Sequence, residues 1–245
     1  MRLHRFYSAE KIEPQAAGAL TRYGGADQWR KVFRFKTGDQ VILFDGSGSD
    51  FVCEIESYDD DGGAAAKILE VRTNMVVAKR ETILCAALVK KDTFEWIAQK
   101  ATELGVSQIV PIIAERSEKK NINIERLHKI IIEAAEQSGR ATLPTLHDAV
   151  SLDETIEIFS GTPESAKQSL AWEPTAPLFR IDGETAAAPW IKDKKTITYI
   201  GPEGGWSQKE LDLFKEKGIA MLSMGPQILR AETAVVSAIS LVIFL

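Results

Sequence analysis

Gly201-Pro-Glu-Gly-Gly205 follows Thr196–Ile200, a run that reads as a β-strand. It precedes Ser207 and Glu210, a Ser-x-x-Glu pair that opens a helix. Open α/β sheets hold ligands at such turns, at the carboxyl ends of their strands. Glycines let a ligand approach the backbone and leave N–H and C=O groups to meet it. The spacing is neither the Gly-x-Gly-x-x-Gly of dinucleotide folds nor a P-loop, which needs Gly-Lys-Ser/Thr. NAD and nucleoside triphosphates are therefore poor fits. Taken alone, the segment is as readily a tight turn.

Two further segments carry polar residues at suggestive places. Leu229-Arg-Ala-Glu-Thr-Ala234 opens an otherwise apolar helix. Arg230, Glu232 and Thr233 would there serve either a polar ligand at free N–H groups or merely the helix cap. Glu133–Arg140 ends another helix, with Gln137 and Arg140 three apart on one face. Arg140 could grip phosphate or a base edge with its planar fork, or simply favour the helix dipole. Arg116 follows a strand within Pro111–Ser117. Strand-end segments gathered on one sheet edge make a case for a site there, without naming its ligand.

The elements that must position these residues fall into two textures. Up to residue 72 the chain is β-rich. Gln40–Phe44, Asp50–Glu56 and Ala64–Val71 read as short strands. They are separated by Asp45-Gly-Ser-Gly-Ser49 and Asp59-Asp-Asp-Gly-Gly63, which suggests a small barrel or sandwich. From about residue 80 apolar runs alternate with helical periodicity. Thr82–Val89 and Val106–Ile113 read as strands. Asp92, with Glu95 as capping-box partner, opens a helix that Gly105 stops. Asn123 caps a second helix running to about Arg140, and Gly218 ends the helix opened by Ser207. Ile219–Met224 reads as a strand, and the last helix runs from Leu229. The expected class is α/β, with a parallel sheet covered on both faces and a boundary near residues 72–80.

Composition narrows the field. A chain of 245 residues can bury its own core. The two cysteines, Cys53 and Cys85, lie in apolar runs and read as buried small hydrophobes, not a disulfide framework. Scattered histidines, with no Cys-x-x-Cys or His-Glu-x-x-His, argue against zinc, so no metal is expected. The start lacks the apolar core of a signal peptide, and the longest apolar stretch, Ala234–Leu245, is too short to span a bilayer. No membrane partner is expected, and the cytoplasm is the expected location. Net charge is −5, which alone speaks against a nucleic-acid partner. Yet residues 1–36 carry a net +5 and residues 37–72 a net −7. Arg2, Arg5, Arg22, Arg30, Lys31 and Arg34 are thus candidates for a local RNA-binding surface, or for an ordinary solvated face.

Four ordered segments carry a resemblance. Lys100-Ala-Thr-Glu-Leu-Gly-Val106, Glu136-Gln-Ser-Gly-Arg140, Ile200-Gly-Pro-Glu-Gly-Gly-Trp-Ser207 and Ile228-Leu-Arg-Ala-Glu-Thr-Ala234 resemble the signatures of the RsmE family. These are small-subunit ribosomal RNA methyltransferases of the SPOUT superfamily. Met1-Arg-Leu-His-Arg-Phe6 is similar to the family's start, so the likeness spans the chain. Trp206 stands where the family has Phe, and Met224-Gly225 where it has Leu-Gly.

The resemblance implies methyl transfer from S-adenosylmethionine to N3 of one uridine in 16S rRNA, within an assembled 30S particle. It implies a PUA-like β-barrel over residues 1–72 and a SPOUT domain over 73–245. The latter would end in a trefoil knot, which connection rules would not have suggested. A homodimer is implied too. The cofactor would be held, largely by main chain, at Ile200, Gly201, Pro202, Glu203, Gly204, Gly205, Ser223, Met224, Gly225, Ile228, Leu229, Ala231, Thr233 and Ala234. Arg230, Arg140 and Arg116 would stabilise negative charge on the uracil or grip phosphate, and Glu232 and Glu203 would accept the N3 proton. Alternatives are a SPOUT 2′-O-ribose methyltransferase and a non-catalytic RNA-binding assembly factor.

Overall fold

The computed structural model describes residues 3–13, 16–76, 80–118, 121–176 and 195–244. Arg2, one of the six basic candidates, lies outside them. The chain divides into two compact units: Met1–Val77 with Ala135–Leu143, and Ala78–Ala134 with Pro144–Leu245.

The first unit is built on a five-stranded sheet. Its strands are β1 (Arg5–Tyr7), β2 (Leu20–Tyr23), β3 (Gln40–Phe44), β4 (Ser49–Tyr58) and β5 (Ala64–Thr73), in the order β1-β3-β4-β5-β2. All pairings are antiparallel except β1 with β3. Two register shifts in β4, at Val52/Cys53 and Ile55/Ser57, bend the long β4–β5 ribbon. Alternation then sorts the side chains. Val41, Leu43, Phe51, Cys53 and Ile55 enter a core with Phe6, Trp29 and Ile68. β3 is nonetheless buried at four consecutive residues, Val41–Phe44, because its second face is covered as well. Phe44 there packs with Ala135 and Ala141 of the returning segment.

The second unit holds a seven-stranded sheet whose pairings are all parallel. In chain order it comprises β6 (Glu81–Ala87), α1 (Lys91–Leu104), β7 (Gln108–Ile113), α2 (Ile124–Ser138, whose residues from Ala135 on belong to the first unit), β8 (Thr145–Leu146) and β9 (Val150–Ser151). There follow α3 (Leu152–Ser160), α4 (Pro163–Lys167), β10 (Ser169–Trp172), β11 (Lys195–Ile200), α5 (Gln208–Glu216), β12 (Ala220–Leu222) and α6 (Ala231–Phe244). The strand order is β12-β10-β11-β6-β7-β8, with β9 also on β7. One face carries Ile83, Cys85, Val110, Ile197 and Tyr199 against α3, α4 and α5. The other lies under α6, which also packs on α1. Strands covered on both faces read as continuous apolar runs, which is why β6 and β7 are plain in the sequence.

Several boundaries differ from the sequence reading. Asp92 and Glu95 form no capping box. Lys90 holds the cap position without a side-chain bond. Glu95 is instead drawn to Arg126 and Lys91. Asn123 does cap α2, accepting from the Arg126 N–H at 3.0 Å. Ser207 and Glu210 form the full capping box. The last helix starts at Ala231, not Leu229, since the Arg230 carbonyl accepts its first bond, from Ala234 N–H. Cys53 and Cys85 are both buried free thiols. Burial pushes the Cys53 thiol up to about 12. Among the described residues no helix is long and apolar enough to cross a membrane.

Candidate functional site

β10, β11 and β12 are neighbours in the sheet, and the loops leaving their carboxyl ends surround a cavity of about 320 Å³. That lies in the size range of small-molecule sites. Its wall takes Trp172–Thr175 after β10, Ile200–Trp206 after β11, and Leu222–Gly225 with Gln227–Leu229 after β12. Ala231 and Ala234 of α6 and Arg116 from the loop after β7 complete it.

Hydrogen bonds fix these loops to one another. A type of clasp forms where the Trp206 indole N–H donates to the Trp172 carbonyl at 3.2 Å. The Glu173 N–H donates to the Leu222 carbonyl at 2.9 Å. The Arg116 guanidinium donates to the carbonyls of Gly204 at 2.9 Å and Trp206 at 3.3 Å. Beneath, buried Glu210 accepts from the N–H groups of Glu115 and Ser207, tying the loop after β7 to the head of α5. Farther down, the hydroxyls of Ser160, Ser169 and Tyr199 join at 2.6–2.7 Å and hold β10 and β11 to the end of α3. Burial raises the Tyr199 hydroxyl far above its usual range, so this network is neutral.

Glycine is required at particular points. A Cβ on Gly201 would lie 3.1 Å from the Trp206 ring, so the loop can press against that indole only without one. Gly205 sits at φ +67° and closes a turn through its N–H to the Pro202 carbonyl at 2.8 Å.

The sequence-derived residues distribute as follows. Ile200, Gly201, Pro202, Glu203, Gly204, Gly205, Ser223, Met224, Gly225, Ile228, Leu229, Ala231 and Ala234 all line the cavity, as does Arg116. Thr233, Arg230 and Glu232 are not on its wall; Thr233 and Arg230 are exposed at the head of α6. Arg140 belongs to the first unit and is buried there, and burial lowers its guanidinium to about 10. It is still cationic at neutral pH. Arg5 is committed to Asp50 by two bonds of 2.7 and 2.8 Å, both side chains under a tenth exposed. Arg22 pairs with Asp59 and Asp61, and Lys31 with Asp27. Arg5 and Arg22 of the +5 stretch are thus spent on the −7 stretch that follows it, and Lys31 on an acid of its own stretch.

The wall segment Trp172–Thr175, with Trp206, Leu222 and Gln227, escaped the sequence reading. Between Arg140 and Thr196 that reading assigns no element. Signals were present: Ser151 and Thr162 each begin capping boxes, and Ser169-Leu-Ala-Trp172 is a short apolar run closed by Pro174.

A parallel sheet with a glycine-walled cavity at its strand ends is matched, over residues 77–243, by the RNA methyltransferase domain family. Residues 30–69 match the RNA methyltransferase PUA domain family. The chain is thus an RNA methyltransferase by class. It is 30% identical to ribosomal RNA small subunit methyltransferase E of Aquifex aeolicus, over 98% of each chain. A methyltransferase of Legionella pneumophila, solved with the bound cofactor SAM, superposes with a TM-score of 0.85. It is 29% identical over 99% of this chain and 97% of its own. The ribosomal RNA small subunit methyltransferase E of Neisseria gonorrhoeae, solved with S-adenosyl methionine, gives a TM-score of 0.82. It is 26% identical over 98% of this chain and 96% of its own. The chain belongs to the ribosomal RNA small subunit methyltransferase E family.

Proposed function

We propose that the chain transfers a methyl group from S-adenosylmethionine to N3 of one uridine in 16S rRNA, within an assembled 30S particle. The observation that carries the cofactor is the cavity wall after β10–β12. Its main-chain N–H and C=O groups suit the edge of an adenine and the hydroxyls of a ribose, and Leu222, Met224 and Leu229 suit the ring faces. Its charged lining is two carboxylates, Glu173 and Glu203, with Arg116 engaged by backbone carbonyls. That balance suits a cationic ligand. Bound there, S-adenosylmethionine would supply an electrophilic methyl group on a sulfonium.

The rest falls to this chain's residues. Uracil N3 carries a proton and becomes nucleophilic as that proton leaves. Glu203, exposed on the wall, and Glu232, in the first turn of α6, are the acceptors within this reading. Arg230, exposed just before α6, offsets charge gathering on the uracil oxygens. Arg116 acts by holding the glycine loop, and buried Arg140 supports the first unit, its carbonyl accepting from Arg5. The first unit serves as the PUA-like RNA-holding module. The second carries the knotted SPOUT topology. A homodimer is supported by α6, whose apolar residues outnumber those it buries, and by Ile228 and Phe244, 84% and 71% exposed. A ribosomal substrate places the enzyme in the cytoplasm.

Nucleoside mass spectrometry decides the matter. Undermethylated 30S particles, treated with the protein and S-adenosylmethionine, should yield 3-methyluridine. A ribose-methylated nucleoside would move the chain to 2′-O chemistry. No methylated product, with S-adenosylmethionine unbound in calorimetry, would leave an RNA-binding assembly factor.

A further inference from the structure

We propose that the first unit carries a stacking platform for unpaired RNA bases, built on Phe33 and Phe35 and flanked by Arg30 and Arg34. Its RNA partner rests on the function proposed above; its geometry does not.

The platform arises from one unusual backbone angle. Along an extended strand, residues 33 and 35 would follow the ordinary alternation. Here Trp29–Phe33 forms a single helical turn, and Arg34 closes it at φ +57°, ψ +34°. Arg34 is the one non-glycine residue with positive φ among the described residues. The left-handed region is costly for a side chain with a Cβ, and such strain gathers at functional sites. On either side of Arg34, the Phe33 and Phe35 rings form an offset stack, with centroids 5.4 Å apart and planes within 16°. The exposed His4 ring lies 4.6 Å from Phe33 and 5.5 Å from Phe35. Buried Phe6 sets its edge against both from within. Phe33 and Phe35 pack against the core of this unit and yet remain partly exposed.

Charge makes the platform specific. Arg30 lies over the Tyr58 ring at 5.3 Å, and the Tyr58 hydroxyl donates to the Phe35 carbonyl at 2.9 Å. Arg30, Arg34 and Lys36 are all exposed. Against these stands Asp39, whose carboxylate accepts from the Lys36 N–H at 2.7 Å. Cations beside partly exposed rings match a phosphate backbone whose bases are free to stack. A duplex hides its base faces, so the fit is to single-stranded RNA.

The test is titration of the full chain with a fluorescent unpaired decanucleotide and with a duplex of the same length, across a salt series. Phe33→Leu with Phe35→Leu keeps apolar volume and removes the rings. It should weaken single-strand binding about tenfold or more and affect the duplex little. Arg34→Gly relieves the left-handed strain, so its melting temperature should hold or rise. It should nonetheless weaken binding and reduce the slope of log K against log salt by about 0.7. Single-strand affinity unchanged in either variant, or equal losses on single strand and duplex, overturns the platform. So does failure of the wild type to bind the single strand. If the leucine pair unfolds the unit, Arg34→Gly still decides. Wild-type binding that falls in both variants, with no methyl transfer to 30S particles, would sink the proposed function and leave the platform standing.

Discussion

The Arg116 guanidinium donates to the carbonyl oxygen of Gly204 at 2.9 Å, joining the loop after β7 to the glycine loop after β11. Arg116 was expected near the chemistry, and it lines the cavity, but its donor is turned to main chain. Arg116→Met keeps the stem that lies against Gly204 and removes the donor. Calorimetry should show S-adenosylmethionine binding weakened about tenfold, the equivalent of one charged hydrogen bond. Thermal stability should change little. Unaltered affinity would mean that the glycine loop holds its shape unaided.

Gly201 and Trp206 should behave as a coupled pair. Gly201→Ala forces a methyl to 3.1 Å from the indole and should weaken cofactor binding. Trp206→Phe loses the donor to the Trp172 carbonyl, costing about 1 kcal/mol. It also removes indole atoms that the new methyl would strike. Gly201→Ala should therefore cost less in the Trp206→Phe background. A double-mutant cycle measures this, and additive costs would contradict the contact.

The Arg5–Asp50 pair should dominate the stability of the first unit. Asp50 also accepts from the Asn74 amide at 2.9 Å, while Arg5 donates to the Arg140 carbonyl at 3.2 Å. Asp50→Ala leaves a buried cation and should cost about 3–5 kcal/mol in denaturant unfolding. Arg5→Met with Asp50→Leu should cost less than the two single losses together. Full additivity would mean that the pair is not coupled.

Alkaline pH should destabilise the first unit, and the second through buried Cys85 and Tyr199. The Cys53 thiol rises from 9.0 to about 12 and the Tyr23 hydroxyl from 10.0 to about 12, both through burial. Between those values the unfolded chain has shed protons that the folded chain keeps. Stability is therefore whole below pH 9 and falls as pH climbs toward 12, by about 1.4 kcal/mol per pH unit for each group. Cys53→Ala should delay the onset of the first unit's own loss of stability, followed by a probe within that unit, from near pH 9 to near pH 10. An unchanged onset would assign the fall to other groups.

Thr198 tests a buried hydroxyl. The hydroxyls of Thr82, Thr196 and Thr198 are buried without a hydrogen-bond partner among the described residues. Thr198→Val removes one such group at nearly constant shape. It should raise stability by about 1 kcal/mol, or about 2–4 °C. A drop would reveal a partner for that hydroxyl.

What the sequence disclosed followed from how strongly local chemistry dictates structure. β3, β6 and α5 are written in apolar runs and a capping box, and the glycine loop at Gly201–Gly205 stands at a strand end. β10 was missed because four residues carry no periodicity, only a short apolar run, although the loop after it brings Glu173, Pro174 and Thr175 to the cavity wall. Arg34 could not be read as left-handed, since no local signal marks an arginine for that region. The basic candidates misjudged one thing only the fold decides: which of them meet an acid. Arg5 and Asp50 are 45 residues apart and touch.

The return of Ala135–Leu143 to the first unit makes that unit discontinuous along the chain. The Gly139 and Arg140 carbonyls are acceptors for Asn74 and Arg5, and Ala141 shields Phe44. A gene fragment cut after residue 77 would therefore translate into a sheet with a bare apolar face and two donors without their acceptors. Such a protein cannot be diversified by exchanging its amino-terminal part at a single crossover. Any functional transplant of the RNA-holding module must carry a second, distant stretch of sequence with it.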